Sequence, residues 1–175
     1  MKRNFRSARL PLALLGAAVL AACVVSVDFS MDKDLAVDAP ATSVSQTVPV
    51  DLGQYKEVQD HKGNVDHLNF NSADISVTAI GAGNKATTVT GKVAVRGPGF
   101  AADGSQDILV GQLNGFAIAS GAKVHLPGNA ALDKFLMDTL KGNGQFSAGV
   151  SGATDGEAHF TLHAKINANL GYGIF

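Results

Sequence analysis

The sequence predicts an all-β fold: an antiparallel β-sandwich of about seven to nine strands with one short α-helix. Apolar and polar residues alternate over most of the chain, and turn residues interrupt them at intervals of roughly 8–15 residues. A single segment, about 130–141, repeats apolar residues at clear helical spacing. The strand–helix alternation of a parallel sheet is missing. With 46% hydrophobic residues, a single packed domain is expected over residues 23–175.

The first strands are predicted from residue parity. Apolar residues at 25, 27, 29 and 31 alternate with polar ones, which predicts a half-buried strand, followed by a loop or weak strand over residues 33–43. The next run, 44–52, contains Pro49, which cannot donate a ladder hydrogen bond and therefore favours an edge strand. Residues 53–64 are typical of a short polar helix closed by Gly63. The parity then slips at Asn71–Ser72, which predicts a β-bulge or a break between two strands.

The middle of the chain contains the one convincing helix. Residues 81–85 form a predicted turn, and strands are expected around 89–95, 108–118 (one strand or a broken pair) and 123–126. Asn129 is then a predicted N-cap. Leu132, Phe135, Leu136 and Leu140 share one helical face, and Gly142 is the expected left-handed C-cap.

The C-terminal part carries the strongest strand pattern. Alternation over 146–150 is followed by Thr154–Glu157, whose Asp-Gly pair predicts a type I′ hairpin turn. From Ala158 to Tyr172 the apolar residues keep one parity, so a strand near 50 Å long is expected, bent or serving two sheets. We expect the apolar face of this strand to lie opposite the helix.

The N-terminal residues have the pattern typical of a targeting segment. Residues 1–9 are basic, Leu10–Ala22 are apolar, and the apolar run from Leu10 to Val25 is shorter than the roughly 20 residues that span a bilayer. Leu20-Ala21-Ala22-Cys23 resembles the lipobox that follows the type II signal peptide of bacterial lipoproteins. The resemblance covers residues 1–23, and the mature domain resembles no specific family.

The resemblance has specific implications. A signal peptide helix over residues 1–22 would be cleaved between Ala22 and Cys23, and Cys23 would carry the covalent lipid. Two or three acyl chains give stable attachment where one is marginal. Because Val24 follows the cysteine rather than an aspartate, the resemblance implies the outer membrane in an organism that has one. The expected partner is thus the membrane of the cell envelope.

Net charge argues against one class of partner, and the cysteine count limits how the fold is stabilised. From residue 23 onward there are 10 basic and 15 acidic residues, a net charge of −5, which does not favour nucleic acid. Cys23 is the only cysteine, so no disulfide within the chain stabilises the fold.

The candidate chemical groups are few. His159 and His163 are expected about 13 Å apart on the polar face of a strand, too far for one metal ion. His61 and His67, near two aspartates, are expected on a surface loop, and His125 at an edge or in the core. A weak Ca²⁺ site in 103–107 or 154–157 stays open, although both are typical turns. We expect no metal, no cofactor and no catalytic set.

Two functions of different class follow. The first is a non-catalytic structural or interaction module held on the membrane, with a filled core and function in exposed loops such as 97–107 and 81–86. The alternative is a carrier or sensor of an apolar small molecule or lipid bound between the helix and the sheet. An apolar cavity of about 300 Å³ or more there would favour the carrier.

Overall fold

The computed structural model describes residues 23–101 and 103–174 and shows eight strands in two antiparallel sheets. The all-β sandwich is confirmed. The strands are β1 (Cys23–Ala39), β2 (Ser43–Asp51), β3 (Val65–Ile80), β4 (Thr88–Arg96), β5 (Ile108–Ala117), β6 (Lys123–Pro127), β7 (Gln145–Thr154) and β8 (Ala158–Ile174). The predicted signal peptide, residues 1–22, lies outside the described residues.

The strand order is that of an eight-stranded jelly roll. One sheet, here called the long sheet, has the order β1-β8-β3-β6, and the short sheet has the order β2-β7-β4-β5. The chain runs back and forth between two ends of the sandwich. The Cys23 end holds the start of β1, the end of β8 and the connections 52–64, 97–107 and 128–144. The far end holds residues 40–42, 81–87, 118–122 and 155–157.

Several local predictions are confirmed. β2, which contains Pro49, lies at the edge of the short sheet. The pairing of β3 with β8 shifts register between Phe70 and Ser72, where the parity slip predicted a bulge. Residues 108–117 form one strand rather than a broken pair, with two register shifts against β4.

The segment predicted as a loop or weak strand, residues 33–43, is regular strand as far as Ala39. β1 continues to Ala39 and pairs with β8 in an unbroken register from Cys23–Ile174 to Ala39–Ala158. Sequence parity weakens after Met31 because Lys33 occupies a position on the inner parity. The long partner strand still lies opposite every residue of the segment and exchanges hydrogen bonds with alternate ones, so the strand does not end there.

The predicted hairpin at Thr154–Glu157 is wrong. β7 pairs with β2 and β4, whereas β8 pairs with β1 and β3, so the connection crosses from one sheet to the other. A type I′ turn needs two residues with positive φ, and no non-glycine residue in the described part of the chain has one. β8 also stays in the long sheet over its whole length, which excludes the prediction that it serves two sheets.

The chain forms two α-helices rather than one. α1 (Lys56–His61) lies between 3₁₀ turns at Leu52–Gln54 and Lys62–Asn64, within the predicted short polar helix. α2 (Ala130–Lys141) has the predicted bounds, and the Asn129 side chain accepts hydrogen bonds from the N–H groups of residues 131 and 132. Gly142 has φ −85°, so the left-handed residue is Gly144 instead, at φ +77°.

α2 packs mainly against β3, not opposite β8 as the sequence predicted. β6 pairs with β3 only from Ser72 to Ser76 and leaves the first half of β3 without a neighbour on that side. α2 covers this gap, and Asp133 Oδ1 accepts a hydrogen bond of 2.7 Å from the Phe70 N–H. The core extends along this half of the long sheet through fully buried leucines, which are Leu52, Leu68, Leu132, Leu136 and Leu170.

Candidate functional site

The backbone of Cys23 lies at the start of β1, opposite Ile174 of β8. Cys23 is the predicted lipid attachment site. The other lipobox residues, Leu20 to Ala22, lie outside the described residues. Within the described residues, the pairing of β1 with β8 extends from Cys23 onward.

Four large hydrophobic side chains of the described residues are substantially exposed. They are Ile174 at 58%, Val24 at 47%, Leu109 at 43% and Ile80 at 42%. Val24 and Ile174 lie on neighbouring strands at the Cys23 end of the long sheet. Leu109 lies opposite Ala94 in the short sheet, and Ile80 lies at the far end.

Residues 52–64 close the long sheet beneath β1 and β8. Leu52 and Val58 are fully buried, and the ring of His61 stacks on that of Tyr172 with centroids 3.5 Å apart. Asp51 Oδ1 accepts a hydrogen bond from the Gly53 N–H at 2.8 Å and caps the first 3₁₀ turn. Burial, together with the nearby Asp32 and Asp51 carboxylates, raises the pKa of Tyr55.

An open groove of about 550 Å³ runs between α2 and the turn at residues 97–100. Apolar side chains dominate it on both sides: Pro98, Phe100 and Ile108 on one, Ala131 and Phe135 on the other. Polar residues of α2, including Lys134 and Asp138, stand along its rim. The groove opens on the surface beside the first residues of β5.

Aromatic contacts and an ion pair hold the two walls of the groove. Phe135 makes edge-to-face contacts with Phe100 and Phe146, at centroid distances of 6.2 and 5.6 Å. Arg96 donates to both carboxylate oxygens of Asp107, at 2.7 and 3.0 Å, and ties the two ends of the 97–107 connection together. The Arg96 guanidinium holds the pKa of Asp107 below its ordinary value.

The space between the two sheets is nearly filled. The cavity there has a volume of only about 40 Å³ and is lined by aliphatic residues such as Ile75, Val93 and Leu162. A carrier site of the predicted kind needs about 300 Å³ or more. That much space occurs beside α2, in the open groove, and not between α2 and the sheet.

The histidines of β8 lie half-buried on the outer face of the long sheet, each between two carboxylates. His163 contacts Asp34 at 2.8 Å and Asp32 at 3.3 Å. His159 contacts Asp38 at 3.0 Å and Glu157 at 3.2 Å. The predicted polar face is thus a set of histidine–carboxylate contacts that the register of β1 against β8 brings together.

The remaining histidines do not converge. His67 lies 3.1 Å from Asp66, whereas His61 stacks on Tyr172. His125 lies on the edge strand β6 and contacts Asp74 at 2.7 Å, which lowers the pKa of that carboxyl group. Within residues 23–101 and 103–174, no group of three or more metal-ligating side chains has the geometry for an ion.

The two acidic turns use their carboxylates within the fold. Asp103 accepts a hydrogen bond from the Ser105 N–H at 2.9 Å, and Asp107 binds Arg96. Asp155 accepts from the N–H groups of Thr87 and Thr88, at 2.7 and 3.0 Å, and these bonds hold its pKa far below the ordinary range. These carboxylates position connections at either end of the sandwich.

The groove beside α2 is the feature that sequence reasoning missed. The sequence predicts a strand over residues 108–118 and a helix over residues 130–141. Neither pattern indicates that the start of this strand and the side of this helix line one cleft. In the described part of the chain, no helix has the length and apolar character needed to cross a membrane.

Comparison with known proteins adds a general likeness in fold. No protein-family model matches the sequence, and no curated protein matches it. A structure of desmodium yellow mottle tymovirus is similar at a TM-score of 0.37 and 11% identity, covering 98% of each chain. The decameric BFDV capsid protein has a TM-score of 0.41 and 7% identity over 86% of this chain and 99% of its own. A structure of turnip yellow mosaic virus has a TM-score of 0.33 and 10% identity, over 99% and 92%.

Proposed function

We propose that this protein is a lipid-anchored, non-catalytic structural or interaction module of the bacterial cell envelope. The observation that carries the proposal is the position of Cys23. It ends a basic and then apolar segment with lipobox spacing, and within the described residues it pairs with Ile174 at one end of the long sheet. A lipid on Cys23 would therefore hold the Cys23 end of the jelly roll against the membrane surface.

The filled interior supports a module rather than a carrier. A lipid carrier of the kind considered above would hold its ligand between helix and sheet, where α2 instead packs its buried leucines against the core. The polar side chains that contact one another do so in histidine–carboxylate contacts between β1 and β8 and in the hydrogen bonds of the acidic turns. Because these contacts stabilise the fold and occupy the polar side chains involved, the proposal assigns no catalytic residue.

Metabolic labelling tests the proposal. The wild-type chain and Cys23→Ser are expressed in a bacterium that makes lipoproteins and fed a labelled fatty acid. We expect label on the wild type and none on Cys23→Ser, with Ser26→Ala, an exposed change on the same strand, labelled like the wild type. Wild-type protein without label would overturn the proposal.

The membrane in which the protein is located is tested separately. In a bacterium with two membranes, wild-type protein is expected in the outer-membrane fraction of a density gradient. Val24→Asp is expected to shift it to the inner-membrane fraction, by the sorting rule that the lipobox resemblance implies. Equal distribution of the two proteins would contradict the outer-membrane assignment and leave the lipid attachment unaffected.

A further inference from the structure

We propose that an open pocket at the end of the short sheet binds a small organic molecule through one carboxylate group, with Lys33 as the counter-ion. The pocket lies where β2 and β4 end and β7 begins, and its volume is about 590 Å³. It shares only Gly97 and Pro98 with the groove beside α2. This inference goes beyond the proposed function and does not depend on a lipid at Cys23.

Lys33 interrupts the apolar inner face of β1. Its neighbours of the same parity, Met31 and Leu35, pack in or against the core, and it lies opposite Ala164 of β8. Lys33 is half-buried and lines both the small cavity between the sheets and the open pocket. The stem of a lysine lies along apolar surface while its ammonium group reaches a polar site, and these two surroundings suit that division.

The ammonium group of Lys33 has no counter-ion in the described part of the chain. No carboxylate there lies within ion-pair distance, and no hydrogen bond joins this group to another described residue. A half-buried charge without a partner costs stability, because it loses water and gains no opposite charge. A residue that breaks the local pattern at such a cost, with no compensating contact, is typical of a functional site.

The rest of the pocket offers hydrogen-bonding groups beside carbon surface. Gln54 and Gln145 are exposed and Ser147 is half-buried, and their side chains make no hydrogen bond to another described residue. Pro49 and Phe146 supply apolar wall. The volume lies within the range of about 300–1,000 Å³ typical of ligand pockets, so the ligand is larger than a bare anion and has amide or hydroxyl groups of its own.

The charges around the pocket favour a ligand with a single negative charge. Arg96 also lines the pocket, but its guanidinium already binds both carboxylate oxygens of Asp107. Asp51, the acidic residue of the lining, repels a second negative group. A carboxylate supplies one negative charge to Lys33, whereas a phosphate monoester at neutral pH would bring close to two. The pocket therefore favours a carboxylate.

Fluorine NMR tests the proposal with a matched pair of probes. N-Trifluoroacetyl-alanine carries one carboxylate, and N-trifluoroacetyl-alaninamide is the same molecule without the charge. Each probe is titrated with the purified wild-type protein in mild detergent, and broadening of its fluorine signal reports binding. We expect the acid to bind at least about tenfold more tightly than the amide, because the amide lacks the charged partner of Lys33. Equal binding of the two probes, or no binding of the acid, would overturn the proposal.

Two lysine variants test the counter-ion. Lys33→Met removes the charge and keeps an unbranched side chain, and Lys123→Met makes the same change at an exposed position on β6, the opposite edge of the long sheet. We expect Lys33→Met to bind the acid as weakly as the amide, and Lys123→Met to bind it like the wild type. Unchanged binding in Lys33→Met would overturn the proposal, as would an equal loss in both variants.

Stability and a second site variant separate binding from folding. Lys33→Met should melt at a higher temperature than the wild type, because it removes a half-buried charge that has no partner; a lower melting temperature would overturn that premise. Gln145→Glu adds a negative charge at an exposed position of the lining and should weaken binding of the acid, whereas Gln112→Glu, exposed on β5 outside the pocket, should not. Unchanged binding in Gln145→Glu would overturn the assignment of the pocket. If Lys33 only protects the edge strand β1 from pairing with another sheet, Lys33→Met self-associates and the wild type binds neither probe, which also overturns the proposal.

Discussion

Phe135 is the residue on which the wall of the groove most depends, and Phe135→Ala should destabilise the protein strongly. Its side chain is 7% exposed and contacts Phe100 and Phe146 by its ring edges. Removing a buried phenylalanine costs about 3–5 kcal/mol. Because one side of Phe135 lines an open groove that water can fill, the lower end, about 3 kcal/mol, is expected here.

The assay is thermal and urea unfolding of the mature protein in mild detergent, followed by circular dichroism. A loss of about 3 kcal/mol corresponds to a fall in melting temperature of about 6–12 °C for a domain of this size. Phe135→Leu keeps most of the apolar volume and should cost about 1 kcal/mol. Lys134→Ala, one position away on the rim, should change stability by less than about 0.5 kcal/mol. A loss below 0.5 kcal/mol for Phe135→Ala would refute the packing described between α2 and residues 97–100.

Three further predictions concern turns, caps and pH. Gly128→Ala would place a Cβ atom 1.6 Å from the carbonyl oxygen of Phe70, so it should cost at least about 2 kcal/mol by urea unfolding, whereas Gly63→Ala, with open space around it, should be nearly neutral. Asn129→Ala removes the N-cap of α2 and should cost about 1 kcal/mol, with Asn129→Asp close to wild type; equal stability of all three proteins would contradict the cap. Hydrogen bonds and ion pairs lower the pKa values of Asp74, Asp107, Asp155 and Glu157 below their ordinary values. The stability that these ionised carboxylates add to the folded protein is therefore present above about pH 4 and is lost as the pH falls below it. The melting temperature should drop from pH 6 to pH 3, and it should drop less steeply in Asp155→Asn. An unchanged slope in that variant would contradict the assignment.

Local sequence patterns were sufficient to predict the elements that bury one continuous face. The parity of residues 158–172 and the helical spacing of Leu132, Phe135, Leu136 and Leu140 predicted β8 and α2, because each buries a single continuous apolar side. Pro49 and the slip at Asn71–Ser72 also have direct local causes, a missing donor and an extra residue. These features need no knowledge of the partner strand.

The remaining features depend on partners that are distant in the sequence. The Asp-Gly pair in Thr154–Glu157 is compatible with a hairpin, but β7 and β8 pair with strands from the N-terminal half, so the connection spans two sheets. His163 meets Asp32 and Asp34 only through the register of β1 against β8. The groove likewise joins residues 97–108 to residues 131–143, and its volume depends on packing that local periodicity does not describe.

The central claim is that Cys23 carries a lipid. The most direct test is the intact mass of the protein purified from its native membrane, measured beside Cys23→Ser. We predict that the wild-type mass lacks residues 1–22 and includes a diacylglyceryl group, and that the diacylglyceryl group is absent from Cys23→Ser. A wild-type protein with an unmodified Cys23 thiol would contradict the anchor and, with it, the orientation proposed for the jelly roll on the membrane.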